Sequence, residues 1–461
     1  MMYKLLAITI FVIHAIVICP FALAFEADQE AALAVLSPID QILNSTWQDQ
    51  SIQPAPTVSN EQFLRRIMLD LYGRIPTLDE QRDFLASSNR GRLIDQLLAS
   101  EEFINKWSDV WTTQLYGYAD ESADRDTLAT WLANQMRIHR PYDDIATQLI
   151  ASTGQSAFNG EVNFLIRYPE EPIVKVSRAF LGIRLDCARC HDHPFDRWTE
   201  EDFSKMNRFF DGMRREEVAP GNIRLSDSAT EIDLENRPRF LNGAIPKTTQ
   251  WRSELALFLT NSRPFARNFA NRIWYQLMGH GIVHPVDDFS RDNPASIPVL
   301  LEWLTDEAQR SQFNIRHMIR LVCESQAYQM QSNVQADRPN KPTWFVGPTM
   351  KPLTPEQWYD SMCVAIDLKP ALEDKTEFIR SFYGDALDGD FSATWEYRET
   401  VQGLMFRLVE SVEPPANSAQ DLFKKILCRE ATADELVAFE IRSPKEVTFV
   451  LLHSSEFAFN H

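Results

Sequence analysis

Four helix starts are written into this chain in the same way. Thr77-Leu78-Asp79-Glu80, Thr354-Pro355-Glu356-Gln357, Thr432-Ala433-Asp434-Glu435 and Ser443-Pro444-Lys445-Glu446 each set Thr or Ser three residues ahead of Glu or Gln. In such a capping box the hydroxyl accepts from the amide three residues on, and the Glu or Gln side chain reaches back to the cap amide. Two amides that a helix start leaves orphaned are then satisfied locally. Pro355 and Pro444 fall on the first helical position, where a missing N–H costs nothing. After Ser59, apolar residues recur at helical spacing (Phe63, Leu64, Ile67, Met68, Leu71) until Gly73 and Pro76 stop the run. No alternating strand series is evident, nor a Gly-rich phosphate loop or a G-x-S-x-G turn. The expected fold class is mainly α, with two helical domains joined by an irregular charged linker.

The 461 residues leave room for two or three domains. A hydrophobic share of 44% and a charged share of 24% are ordinary for a globular chain and exclude a disordered or fibrous one. The net charge of −19 argues against nonspecific nucleic-acid binding, which needs Lys and Arg to displace counterions, and against docking on anionic lipid. Irregular stretches set the expected divisions. Residues 25–58 read as an N-terminal extension and linker, 59–213 as the first domain, 214–250 as a linker with Pro220, Pro238 and Pro246, and 251–461 as the second domain. Within the last, residues 333–353 carry four prolines and read as a long loop.

Residues 1–24 read as a signal peptide. They hold Lys4, no acid, an apolar run from Leu5, and the small-x-small ending Ala22-Leu23-Ala24. Cleavage there predicts an exported chain, periplasmic or extracellular, with no stable membrane span left. An uncleaved anchor is the alternative, since about 20 apolar residues can cross a bilayer. Cys19 would leave with the peptide. Cys323, Cys363 and Cys428 lie in apolar helical contexts and are expected as buried free thiols.

Cys187-Ala188-Arg189-Cys190-His191 is a C-x-x-C-H motif, the attachment pattern of c-type haem. Two thiols three positions apart can each bond one vinyl group of the porphyrin, and the adjacent His can serve as proximal ligand to the iron. Two other chemistries use the same residues: a zinc site completed by His191 or His193, and a C-x-x-C disulfide or redox pair. The dense sequence that follows offers Asp192, His193, Asp196 and Arg197 as groups that would orient the site or, for Arg197 and Arg189, meet a haem propionate. A distal ligand would come from Met278, His280 or His284, which share a short Gly-rich stretch ahead of Asp287 and Asp288. These residues equally suit a structural loop, and the paired acids equally suit capping.

Phe180-Leu181-Gly182-Ile183-Arg184-Leu185 running into C-x-x-C-H and on to His193-Pro194-Phe195-Asp196-Arg197-Trp198 resembles a family of exported planctomycete proteins. That family is built from two adjacent domains of unknown function, often accompanied by a planctomycete-type cytochrome c module. Leu71-Tyr72-Gly73-Arg74-Ile75-Pro76-Thr77 and Arg140-Pro141-Tyr142-Asp143 match its first domain. Asn271-Arg272-Ile273-Trp274 through Asp287-Asp288-Phe289, Glu324 to Tyr328, and the closing Ser454 to His461 match its second. The resemblance covers about residues 58–461 and brings no settled reaction with it. It implies a cytochrome context, although too few residues lie between Ala24 and the first domain for a separate cytochrome module.

The sequence therefore predicts an exported c-type haem protein, an oxidoreductase or electron-transfer component with a redox partner protein and an unidentified substrate. The alternative is a non-catalytic structural or binding protein whose Cys/His cluster holds zinc or a disulfide.

Overall fold

The computed structural model describes residues 36–117, 125–193, 196–228, 236–332, 344–369, 375, 378–379 and 418–461. The signal-peptide reading and Cys19 lie outside them. The described chain is mainly helical, as the capping boxes predict. All four boxes form, and three more appear at Ser59, Thr199 and Ser418. Gly73, at φ +89°, closes the helix Asn60–Leu71 with its N–H on the Met68 carbonyl, a left-handed position that suits glycine.

The first half contributes helices α1 (Pro38–Asp49), α2 (Asn60–Leu71), α3 (Leu78–Ser87), α4 (Arg90–Leu98), α5 (Glu101–Tyr116), α6 (Arg125–Arg137) and α7 (Tyr142–Ala151). The second half contributes α8 (Trp251–Thr260), α9 (Arg263–Met278), α10 (Pro298–Arg310), α11 (Ile315–Glu324) and α12 (Pro355–Ala365). Helix α8 packs on α7, and α11 on α4. One apolar cluster accordingly runs from Ile39 to Phe345 through both halves, with Tyr142 stacked 4.6 Å from Phe269 at the seam. A second cluster gathers Leu69 and Ile75 with α12 and the C-terminal helices around Trp358, Phe423 and Phe457.

Two stretches read as linker carry structure. Residues 38–49 are not an extension: α1 buries Ile39, Leu43 and Trp47 on one face. Its signal is the Ser37-Pro38 start, which caps a helix with apolar residues four apart. Residues 213–227 form a hairpin, β2 (Met213–Ala219) against β3 (Asn222–Asp227), with β1 (Gly154–Gln155) pairing on the other edge of β3. The hairpin shows little apolar alternation because β2 carries the exposed charged run Arg214 to Glu217, and in β3 only Ile223 and Leu225 turn toward the core, Leu225 alone being fully buried. Its signature is the turn Pro220-Gly221, with Gly221 at φ +73°. Arg252 on α8, almost fully buried, binds Asp227 at 2.7 Å and the Ile150 carbonyl at 2.9 Å, so the hairpin is clamped to both halves.

Within the proline-rich loop, Lys351–Pro352 pairs antiparallel to Phe459–Asn460. Below this pairing lies the buried carboxylate of Asp70. It accepts from Lys351 Nζ at 2.6 Å, Tyr328 Oη at 2.8 Å and Asn460 Nδ2 at 2.8 Å. Among the described residues no helix is long and apolar enough to cross a membrane.

Candidate functional site

The C-x-x-C-H motif leaves the core at Leu185. The segment before it, from Ile173 to Leu185, buries Ile173, Val176, Phe180, Leu181 and Leu185, and turns at Gly182 in the left-handed region (φ +68°). A 3-10 turn over Leu185–Ala188 then carries Cys187 to the surface. Cys187 and Cys190 are both exposed and both free, and His191 is exposed beside them. By contrast Cys323, Cys363 and Cys428 are buried thiols outside any disulfide, as expected from their apolar settings.

The His191 ring has a defined tautomer. Its Nδ1 lies 2.8 Å from the Asp192 carbonyl oxygen. A carbonyl only accepts, so in the neutral ring Nδ1 is the nitrogen that holds the proton and Nε2 the one with the lone pair, the form an imidazole needs to ligate a metal. The thiol of Cys187 is pushed up, by partial burial and then by the neighbouring Asp186, against the pull of Arg178 and Arg184. A C-x-x-C pair working as a redox dithiol depends on a lowered thiol pKa, the opposite shift. Among the described residues no group of three or more His, Cys, Asp or Glu is arranged to hold a metal ion, so the donors for a tetrahedral zinc site are not assembled here.

The residues after the motif shape its loop. The Asp192 carboxylate accepts from the Glu200 amide at 3.1 Å, at the start of the helix Glu200–Asn207. The His193 amide donates to the Trp198 carbonyl at 2.8 Å and closes the loop. Asp196 accepts from the amide of Arg197, whose guanidinium stacks on Trp198 at 4.4 Å. Arg189 pairs with Glu171 at 3.0 Å.

The second half reaches this region through charges. Arg184 donates to the fully buried carboxylate of Asp287 at 2.8 and 3.2 Å, and Arg178, itself held by Asp186 at 2.7 Å, lies 3.6 Å from it. Burial alone would raise the Asp287 pKa, but the Arg184 bonds and the charges of Arg178 and Arg272 outweigh it and hold the carboxyl below its usual range. Arg272 and Asn268 on α9 donate to the Arg178 and Ala179 carbonyls at 2.9 and 2.7 Å, and the Phe289 amide donates to the Gly182 carbonyl at 2.9 Å. Arg184 lies three positions before Cys187, and His284 three positions before Asp287. The Arg184–Asp287 pair therefore brings the Gly-rich loop of the second half beside the motif.

Within that loop the expected distal donors differ. Met278 ends α9 with no exposed surface, and its carbonyl accepts from Thr349. The rings of His280 and His284 lie 4.1 Å apart, and His284 also faces Tyr275 at 5.7 Å. His284 remains an exposed residue, yet crowding of its ring by these neighbours, with the nearby His280, pushes its pKa down to about 4. His317 bonds Glu307 at 2.7 Å on the partly exposed face of α11. The roles of Arg178, Arg184, Asn268 and Arg272 escape sequence reading, because a polar side chain wholly or partly buried among apolar neighbours is recognised only with its distant partner in view.

Comparison with family models agrees with this two-part architecture. Residues 38–215 match PSCyt2, a protein of unknown function (DUF1549), and residues 251–383 match PSD1, a protein of unknown function (DUF1553). No curated protein and no solved structure matches the chain. The first match takes in α1 from its first residue, in keeping with the packing of that helix, and the chain thus carries the two adjacent domains of a two-domain family of unknown function.

Proposed function

We propose that this chain is an exported c-type haem protein that serves electron transfer, with Cys187 and Cys190 forming the two thioether links and His191 ligating the iron through Nε2. The observation that carries the reading is the His191 Nδ1 contact with the Asp192 carbonyl, which leaves Nε2 as the free donor. Two free, exposed thiols three positions apart complete the donor set. Bound there, the group would supply the one-electron chemistry of its iron. The motif's exposure supports an electron-transfer role over a buried catalytic pocket, because a redox partner protein can approach it. Arg197, stacked on Trp198, is available to a propionate, whereas Arg189 is already paired with Glu171.

For the far side of the iron we retain His284. It is exposed and held neutral, and the Arg184–Asp287 pair draws its loop toward the motif. Met278 is buried within the second domain, and His280 is stacked on His284. The test is the intact mass of the full chain exported from cells that carry c-type haem maturation. One haem added covalently, together with a mature N-terminus at Phe25, supports the reading. A chain with unmodified thiols under those conditions overturns it.

A further inference from the structure

Beside the motif, between the two halves, lies a cavity of about 240 Å³. Ile183, four residues before Cys187, and Trp198, seven after His191, both line it. The second half contributes Arg267, Phe289 and Arg291. Three of its lining residues are arginines, Arg197, Arg267 and Arg291, against one acid, Asp196, although the chain as a whole carries a net charge of −19. Among the described residues Arg197 and Arg291 have no carboxylate partner, while Arg267 shares Glu302 at 3.3 Å. Two of the guanidiniums are laid on aromatic faces, Arg197 over Trp198 at 4.4 Å and Arg267 over Phe289 at 5.3 Å. A stacked guanidinium keeps its N–H fork free at the edge and loses little freedom on binding.

A second feature points to a ligand. Trp198 is more than nine-tenths buried in the wall of this cavity, and its indole N–H has no hydrogen-bond partner. A buried donor left unmade costs about 1–3 kcal/mol, so such a group is normally satisfied by something. The apolar wall of Leu181, Ile183 and Phe289 sets a flat, non-polar body beside these donors.

We propose that this cavity binds a carboxylate carried on a planar apolar body, its charge met by Arg197 and Arg291 and by the Trp198 N–H. Two sources share that chemistry: the propionate edge of a haem bonded at Cys187 and Cys190, which rests on the function proposed above, and a free small aromatic acid, which does not.

The probe is benzoate, with the neutral isostere benzamide as control, titrated calorimetrically into two full-length forms. One is the haem-loaded protein and the other the Cys187→Ser/Cys190→Ser variant. Benzoate binding to the variant, with benzamide at least tenfold weaker, is expected on either source. Binding to the variant but not to the loaded protein assigns the cavity to the propionate, and equal binding to both assigns it to a free acid. Arg197→Gln and Arg291→Gln are each expected to weaken benzoate about tenfold with unchanged melting temperature, and Trp198→Phe about fivefold with some loss of stability from the buried volume removed. Failure of the variant to bind benzoate, equal affinity for benzamide, or full affinity in both Arg variants would overturn the proposal. The overturning outcomes are read on the Cys187→Ser/Cys190→Ser protein, which needs no haem, so they hold even if no haem ever attaches.

Discussion

Arg184 and Asp287 form a bidentate ion pair across the two halves, three residues from Cys187 on one side and three from His284 on the other, with the carboxylate wholly out of solvent. This contact ties the second domain's loop to the approach of the C-x-x-C-H motif. A buried pair of this kind contributes little net stability, but losing one partner leaves the other charge stranded.

Replacement of Asp287 by Ala should therefore destabilise the protein by about 3 kcal/mol, with Arg178 and Arg184 left facing each other. The paired variant Arg184→Met/Asp287→Leu should recover most of that loss. Urea unfolding of the three proteins measures both effects. An Asp287→Ala protein as stable as the parent would remove the pair from its joining role.

Gly182 should tolerate no side chain. Its φ of +68° is left-handed, and a Cβ there would meet the Phe289 ring at 2.5 Å. Gly182→Ala is expected to cost about 2–3 kcal/mol from backbone strain and overpacking together. Gly182→Ala in a Phe289→Ala background should cost less, because the ring clash is gone and only the backbone strain and a 2.9 Å approach to Asn268 Oδ1 remain. A double-mutant cycle with no coupling energy would contradict the close approach.

In the haem-free Cys187→Ser/Cys190→Ser protein, stability should fall on mild acidification, and His284 should account for part of the fall. Its folded pKa is depressed to about 4, below the unfolded value of about 6.5, so the unfolded chain takes up the proton first. The contribution is complete above about pH 6.5 and is lost as the pH drops toward 4. His284→Gln should flatten the melting-temperature profile in that window and leave it unchanged at pH 8. Equal slopes in parent and variant would show that the ring is not crowded as described.

Helix α1 belongs to the fold. Trp47 is buried and donates its indole N–H to the Trp344 carbonyl at 2.7 Å. Trp47→Ala should cost about 3–5 kcal/mol, and removal of residues 25–50 should cost more. A truncated chain that melts with the parent would return this segment to the status of a linker.

Helix content and its punctuation were legible in the sequence because capping is local. Thr77 with Glu80, or Ser443 with Glu446, needs only its own four residues, and each box forms. Buried thiols at Cys323, Cys363 and Cys428 were legible for a similar reason, from their apolar neighbours. The hairpin at 213–227 was hidden because β2 carries four charged residues in a row, Arg214 to Glu217, and the alternation in β3 is confined to Ile223 and Leu225, too short to stand out beside Pro220-Gly221. Helix α1 was hidden by the polar stretch that follows it. At the site, the spacing of Cys187, Cys190 and His191 could be read directly. The tautomer of His191, the Arg184–Asp287 pair and the arginine-lined cavity could not, because each depends on where a backbone carbonyl or a residue of the other half comes to lie.

The central claim is that Cys187, Cys190 and His191 hold haem. The most direct measurement is the pyridine haemochrome spectrum of the chain after denaturation and acid–acetone extraction, recorded for the parent and for Cys187→Ser/Cys190→Ser. The account predicts that the parent keeps its haem through extraction, with the spectrum of two thioether links, and that the variant keeps none. His191→Ala should retain covalent haem with an altered Soret band in the native state. A parent chain that gives no haemochrome, or that loses all its haem to the solvent, would contradict the account.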